Sequence, residues 1–326
     1  MTALPLTICL ALAWFFAVDA LLSIAVAGAS AWWRVYPCAS GSGEGLIPGR
    51  AALFMRLLPS VAAITFVTAV FVPAFVLHEP ARGPESAGWV VCAAAAAACV
   101  LALSAVARGV AAVRRTRTLL DGWMSHAAPI QLDHACSGAV AAYMIEDPFP
   151  VFALVGVRAP RLLIARQVLE ALTPGEVRAA VAHELAHVRA WDNAKRLLIC
   201  WTPGLLAWSA AGRQLESRWA AGAECAADHS AADSPTRRLD LAGALVKVSR
   251  LAIAPVPGVR LFSTLHGHGE VADRVSQLLA PAPACRRSNR GRVCVATIAA
   301  GCLVVSLPQV FLAVHGLTES CLRLLP

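Results

Sequence analysis

The chain has 326 residues, 58% of them hydrophobic and only 15% charged, with a mean hydropathy of +0.64. Soluble domains carry nearer a quarter charged residues, so the composition excludes a wholly soluble globule and points to an integral membrane protein with a modest soluble part. The net charge of +8 does not indicate nucleic acid: the basic residues are spread along the chain without interleaved aromatics, and the arginine clusters flank hydrophobic segments, as membrane orientation requires.

In chain order, four stretches are apolar and long enough to cross a bilayer, which takes about 20 residues. They are Leu4–Ala29, Leu57–Leu77, Ser86–Ala107 and Val293–Gly316. The first reads as a retained span rather than a cleaved signal peptide, because no basic region precedes it and Asp19 falls inside it. A carboxylate there is costly in lipid, so Asp19 is expected to face other helices or water, as a packing contact or, alternatively, in substrate entry. Cys9, Cys92, Cys99, Cys294 and Cys302 lie in apolar runs, and the eleven cysteines form no CxxC pair, so they read as small buried hydrophobes.

Basic residues set the orientation. Arg34, Arg50 and Arg56 follow the first span, Arg82 alone follows the second, and Arg108, Arg114, Arg115 and Arg117 follow the third. Arg286, Arg287, Arg290 and Arg292 precede the fourth, and Arg323 lies beyond it. This alternation places both termini outside and the segment between the third and fourth spans in the cytoplasm. The expected organisation is three spans with their loops in 1–107, a cytoplasmic domain in 108–292, and a fourth span with a short tail in 293–326.

Within the cytoplasmic segment, strands are expected around Val140–Ile145, Phe152–Val157 and Leu162–Ala165. Thr173-Pro174-Gly175-Glu176 then announces a helix, with threonine as N-cap, proline at the first helical position and glutamate closing a capping box. Val177, Val181, Leu185 and Val188 give it an apolar face.

The same helix carries His183-Glu184-Leu185-Ala186-His187. Two histidines one turn apart converge on one point, as a tetrahedral Zn2+ requires, and Glu184 is placed to act as general base toward a water activated by the metal. Chance alone would produce this pattern roughly 0.01 times in a chain with this histidine and glutamate content.

A third ligand must come from elsewhere; Glu216, Glu224, Asp228 and His229 are the downstream candidates. Glu224 and Asp228, four apart in "AECAAD", share a helix face. This suits Glu224 as ligand and Asp228 as acceptor from a ligand histidine, fixing its tautomer. Between the two helices, 197–212 is uncharged but only about 24 Å long as a helix, too short to cross, and Pro203-Gly204 breaks it. It reads as a hydrophobic hairpin that dips into the membrane surface or packs on the spans. A full crossing would put Glu224 on the wrong side from His183.

The stretch "FALVGVRAPRLLIARQVLEALTPGEVRAAVAHELAHVRAWDNAKRLL" resembles the membrane zinc metallopeptidases of the BlaR/MecR antirepressor type and the related HtpX and CAAX-protease group of gluzincins. The resemblance covers about Val151 to Leu279. It implies membrane helices joined to a zincin-like α+β catalytic domain, with one zinc held by His183, His187 and Glu224, Glu184 as base and Asp228 behind a histidine. Asp192 also matches a family position, with a structural role. "HGEVADRVSQLL" resembles a family segment that maps onto His268 and Arg274, which would make His268 a hydrogen-bond donor to the tetrahedral oxyanion. The chain departs from the family at Ala223, often arginine there, and a receptor domain like that of sensor-type members is not expected, since residues 317–326 alone follow the fourth span.

The expected function is therefore a multi-pass, zinc-dependent endopeptidase acting on a protein or peptide substrate at the cytoplasmic face, with the bilayer as partner and no nucleic acid. A substrate strand would add to the edge of a small sheet containing Pro160 to Gln167. Two alternatives stand beside it. A signalling or scaffold protein with a closed structural zinc site would need a fourth ligand, for which His229 is available. A site-2-type intramembrane protease would place the motif in a membrane helix, but Arg178, Arg189 and Asp192 make this helix too polar, and the Leu-Asp-Gly at 120–122 lies upstream.

Overall fold

The computed structural model describes residues 3–35, 49–78, 88–132, 140–146, 151–251, 262–264, 271–280, 312–314, 316–318 and 320. His268, Arg286–Arg292 and most of the expected fourth span fall outside them.

The membrane part consists of α1 (Ala3–Val35), α2 (Gly49–Phe66), a π-helical turn (Val67–Phe71), α3 (Val72–His78) and α4 (Trp89–Met124). Three stretches, Pro5–Ala31, Gly49–Leu77 and Trp89–Met124, are long and apolar enough to cross a membrane. Two boundaries differ from the sequence reading. The second helix begins at Gly49, so Arg50 and Arg56 stand on a helix rather than in a loop. Arg56 is tolerated there because its Nε donates to Glu216 Oε1 at 2.8 Å, although the side chain is buried. The third helix runs well past its apolar part to Met124, carrying Arg108, Arg114, Arg115 and Arg117 out on one continuous rod. Near the C-terminus, Val314 joins the buried cluster of Leu10 and Phe71, and Trp14 Nε1 donates to Thr318 Oγ1 at 3.1 Å.

The remaining elements are β1 (Ala128–Ile130), β2 (Ala141–Ile145), β3 (Phe152–Val155), β4 (Arg161–Ala165), α5 (Arg166–Ala171), α6 (Pro174–Arg189), α7 (Asp192–Trp201), a 3₁₀ turn (Leu205–Trp208), α8 (Ala210–Ala231), α9 (Pro235–Leu251), β5 (Phe262–Thr264) and α10 (Val271–Leu279). The strands form one mixed sheet of order β1-β2-β4-β3-β5, parallel only between β2 and β4. The three expected strands are present. The strand containing Leu162–Ala165 is interior, between β2 and β3, so any strand added to this sheet must pair with β1 or β5 instead. Phe152, Leu154, Leu163 and Ile164 bury their side chains with Val181 of α6 and Leu241 and Leu245 of α9 in the principal core, the largest source of apolar burial in this part of the molecule.

Segment 197–212 is indeed broken at its middle. α7 ends at Trp201, Gly204 has φ 151°, and α8 starts at Ala210 after the 3₁₀ turn. Its tip packs on the spans: Leu205 N donates to Asp19 Oδ2 at 2.9 Å, and Ser60 Oγ stands 3.0 Å from Asp19 Oδ1 and also meets the Pro203 carbonyl. Asp19 is thus a packing contact, wholly buried.

Candidate metal centre

α6 starts where the sequence places it. Thr173 Oγ1 accepts from Glu176 N, Glu176 Oε2 accepts from Thr173 N at 2.7 Å, and Lys247 of α9 adds a 2.7 Å ion pair to the same carboxylate. Burial works against the charged Glu176, but Lys247 and Thr173 outweigh it and hold its carboxyl below the usual range. Val177, Leu185 and Val188 pack with buried Val181 against the core, which leaves His183 and His187 to the face turned toward α8.

α8 then brings Glu224 to them. The two Nε2 atoms stand 3.2 Å apart. Glu224 Oε2 is 3.5 Å from His183 Nε2, and Oε1 is 3.6 Å from His187 Nε2. Tetrahedral ligands bonded at about 2.0–2.1 Å would be separated by roughly 3.3–3.4 Å. The separations are close to these, with one Glu224 oxygen turned to each histidine, and one donor atom from each residue lies within 4.8 Å of the others.

The opposite imidazole nitrogens are committed elsewhere. His183 Nδ1 lies 2.9 Å from Asp228 Oδ1, and His187 Nδ1 lies 2.8 Å from Asp192 Oδ2. A carboxylate on Nδ1 fixes the tautomer that leaves Nε2 as a lone-pair donor. Asp228 is itself gripped by Arg274, whose Nε and Nη2 donate to its two oxygens at 2.8 and 2.6 Å. Asp192 accepts from Lys195 at 3.0 Å. Glu224 sits between two guanidinium groups, with Arg274 Nη1 at 3.3 Å from Oε2 and Arg196 Nη2 at 3.8 Å from Oε1. Arg196 is held over the Trp219 ring at 5.6 Å.

Electrostatics agree with the geometry. Burial would keep both imidazoles neutral, yet Asp228 and Glu224 outweigh it at His183, and Asp192, Glu224 and Glu184 push His187 up to about 10. Burial would raise Glu224 as well, but the two histidines hold it well below the usual carboxylate range. Glu184, Asp192, Glu224 and Asp228 are all buried, and among the described residues Lys195, Arg196 and Arg274 are the permanent cations paired with Asp192, Glu224 and Asp228. Such a surplus of buried negative charge, with hard oxygen and borderline nitrogen donors, fits a divalent ion. The residues therefore fit a metal ion.

Of the sequence candidates, the structure brings together His183, Glu184, His187, Glu224 and Asp228. It sends Glu216 to Arg56 and leaves His229 exposed. Arg196 and the grip of Arg274 on Asp228 were not readable from spacing. Nor was Asp192 as the partner of His187, because five residues is not a helical contact distance. It arises from the break after α6, where Trp191 adopts a left-handed conformation (φ 57°, ψ 34°) and starts α7 with Asp192 folded back on His187. No family model matches this chain, and no curated protein matches it.

Proposed function

We propose that the chain is a membrane-bound zinc endopeptidase of the gluzincin kind, resembling the BlaR/MecR antirepressor and HtpX-like enzymes, that cuts a protein substrate at the cytoplasmic face. The observation that carries this reading is the convergence of His183, His187 and Glu224 donor atoms with Glu184 buried beside them. His183, His187 and Glu224 would hold the ion, and Asp228 and Asp192 would orient the imidazoles. When bound, zinc supplies Lewis acidity, polarising a carbonyl and lowering the pKa of water.

Glu184 then takes a proton from the attacking water and returns it to the leaving amine as the carbon–nitrogen bond breaks. Arg274 and Arg196 steady the Glu224 carboxylate from either side. The oxyanion role expected for His268 stays part of this proposal, since that residue lies outside the described ones. Among the described residues the terminal strand nearest the site is β5, which neighbours α6 and α7, and a substrate strand would pair there.

A closed structural site is less well supported, because His229, the available fourth ligand, is exposed. An intramembrane protease is less well supported too, because α6 is not among the apolar spans. The cytoplasmic placement rests on the arginine-rich inner ends of the spans.

The test compares membranes of cells producing the wild-type chain with those producing Glu184→Gln. Full-length proteins should accumulate in the variant while its zinc content stays equal. Unchanged membrane proteomes would reject the enzymatic reading.

A further inference from the structure

The α7–α8 hairpin is not merely packed on the spans; its depth can be counted along them. Leu10, Phe71 and Val91 belong to one buried cluster and mark a common level across α1, α2–α3 and α4. At 1.5 Å per residue, Asp19 lies about 14 Å from that level, Ser60 about 16 Å, and Arg108 about 26 Å. Arg108 is the first charged residue after Trp89 on α4, so it marks the inner boundary of an apolar layer about 30 Å thick. Asp19 and Ser60, which hold the hairpin tip, therefore sit roughly 10 Å inside that boundary, while Arg108 reaches the tip from the boundary itself.

Irregular backbone at such depth is tolerated only where protein groups satisfy it. The tip meets that demand from three spans. The Thr202 carbonyl accepts from Arg108 Nη2 at 3.1 Å, the Pro203 carbonyl meets Ser60 Oγ, and Leu205 N donates to Asp19. Ser209 Oγ caps α8 by accepting from Gly212 N at 2.9 Å. Gly204 fits only without a side chain: a Cβ there would overlap Ser60 Oγ and come within 2.7 Å of Asp19 Oδ1.

The outward side of the same hairpin is apolar and open. Leu198 is 52% exposed, Trp201 40% and Trp208 61%, and the Arg108 guanidinium covers the Trp208 ring at 5.4 Å. A tryptophan beside an arginine suits the membrane–water interface, where an apolar ring and a polar edge are both accommodated. Trp201 packs on α4 at Gly109, and further down the same helix Val106, Leu103 and Val100 are exposed and apolar.

We propose that the α7–α8 hairpin is a re-entrant membrane anchor, its tip seated against Asp19 and Ser60 within the inner leaflet and its outer face, Leu198, Trp201 and Trp208, in contact with lipid. The anchor fixes the height of α7 and α8, and so of Asp192 and Glu224, whatever chemistry the metal performs.

The test places a photoreactive benzoyl-phenylalanine singly at positions 198, 201 and 208 of the full chain in phosphatidylcholine vesicles. Position 103 is the lipid-facing control, and exposed Leu239 of α9 is the solvent control. Lipid adducts, read by mass spectrometry, should form at 198, 201 and 208 at yields comparable to 103 and be absent at 239. Because position 198 leaves both tryptophans in place, a folding defect from their replacement does not blunt the result. Labelling at 103 but at none of the hairpin positions would overturn the anchor, as would equal labelling at 239.

Discussion

Two buried polar clusters sit in this molecule, one at the hairpin tip and one between α6 and α8, and they are built on opposite principles. At the hairpin tip, both oxygens of Asp19 are used within the chain, one by Ser60 and one by the Leu205 amide. In the C-terminal halves of α6 and α8, two imidazole nitrogens and a carboxylate instead point at one another at 3.2 to 3.6 Å. A closed cluster locks segments together, whereas a surplus of lone pairs aimed at one point is a receptor for a cation. Four buried carboxylates around the second cluster make the same distinction by charge.

Substitutions at each cluster separate these roles. Glu224→Ala or His183→Ala removes a proposed ligand and should abolish stoichiometric zinc in the purified full chain, measured by plasma emission spectrometry, while the helical circular dichroism persists. Asp228→Asn should act at one remove, weakening zinc about 10- to 100-fold in competition with a chromophoric chelator, because His183 loses the acceptor that orients it. If the variant bound zinc as tightly as wild type, the 2.9 Å contact would have no orienting role.

Asp19→Ala should do the reverse. It strips the Leu205 amide of its acceptor and should cost about 1–3 kcal/mol of stability, read as a lower melting temperature, while the folded fraction keeps its zinc. Loss of zinc without loss of stability would erase the contrast between the clusters.

The smallest effect is expected at Glu176→Gln, which keeps a capping-box acceptor for Thr173 N but loses the charge paired with Lys247, at a cost of about 0.5 kcal/mol. Because the folded pKa of Glu176 is lowered from an unfolded value of 4.5, its contribution is present above that value and disappears as pH falls through the folded pKa. The wild type and variant should therefore differ in urea midpoint at pH 7 and converge in strong acid.

Much of the candidate metal site was legible because helices transmit spacing directly: His183 and His187 lie one turn apart, as do Glu224 and Asp228, and Thr173 and Glu176 form the predicted cap. The three core strands were legible from short apolar runs. The partners that cross between elements were not. Nothing local signals that Arg274 will clasp Asp228 or that Arg196 will stack on Trp219, because long side chains reach across tertiary contacts. β1 and β5, three residues each, are too short to show alternation. The helix starting at Gly49 was masked by Arg50 and Arg56, which read as loop residues until Glu216 appears beside Arg56.

The most direct test of the central claim is X-ray absorption at the zinc edge on the purified full-length chain. The account predicts a nitrogen and oxygen shell at about 2.0–2.1 Å with the multiple scattering of two imidazoles, lost in Glu224→Ala. A protein that retains no zinc, or one whose zinc shows a sulfur shell at about 2.3 Å, would contradict it.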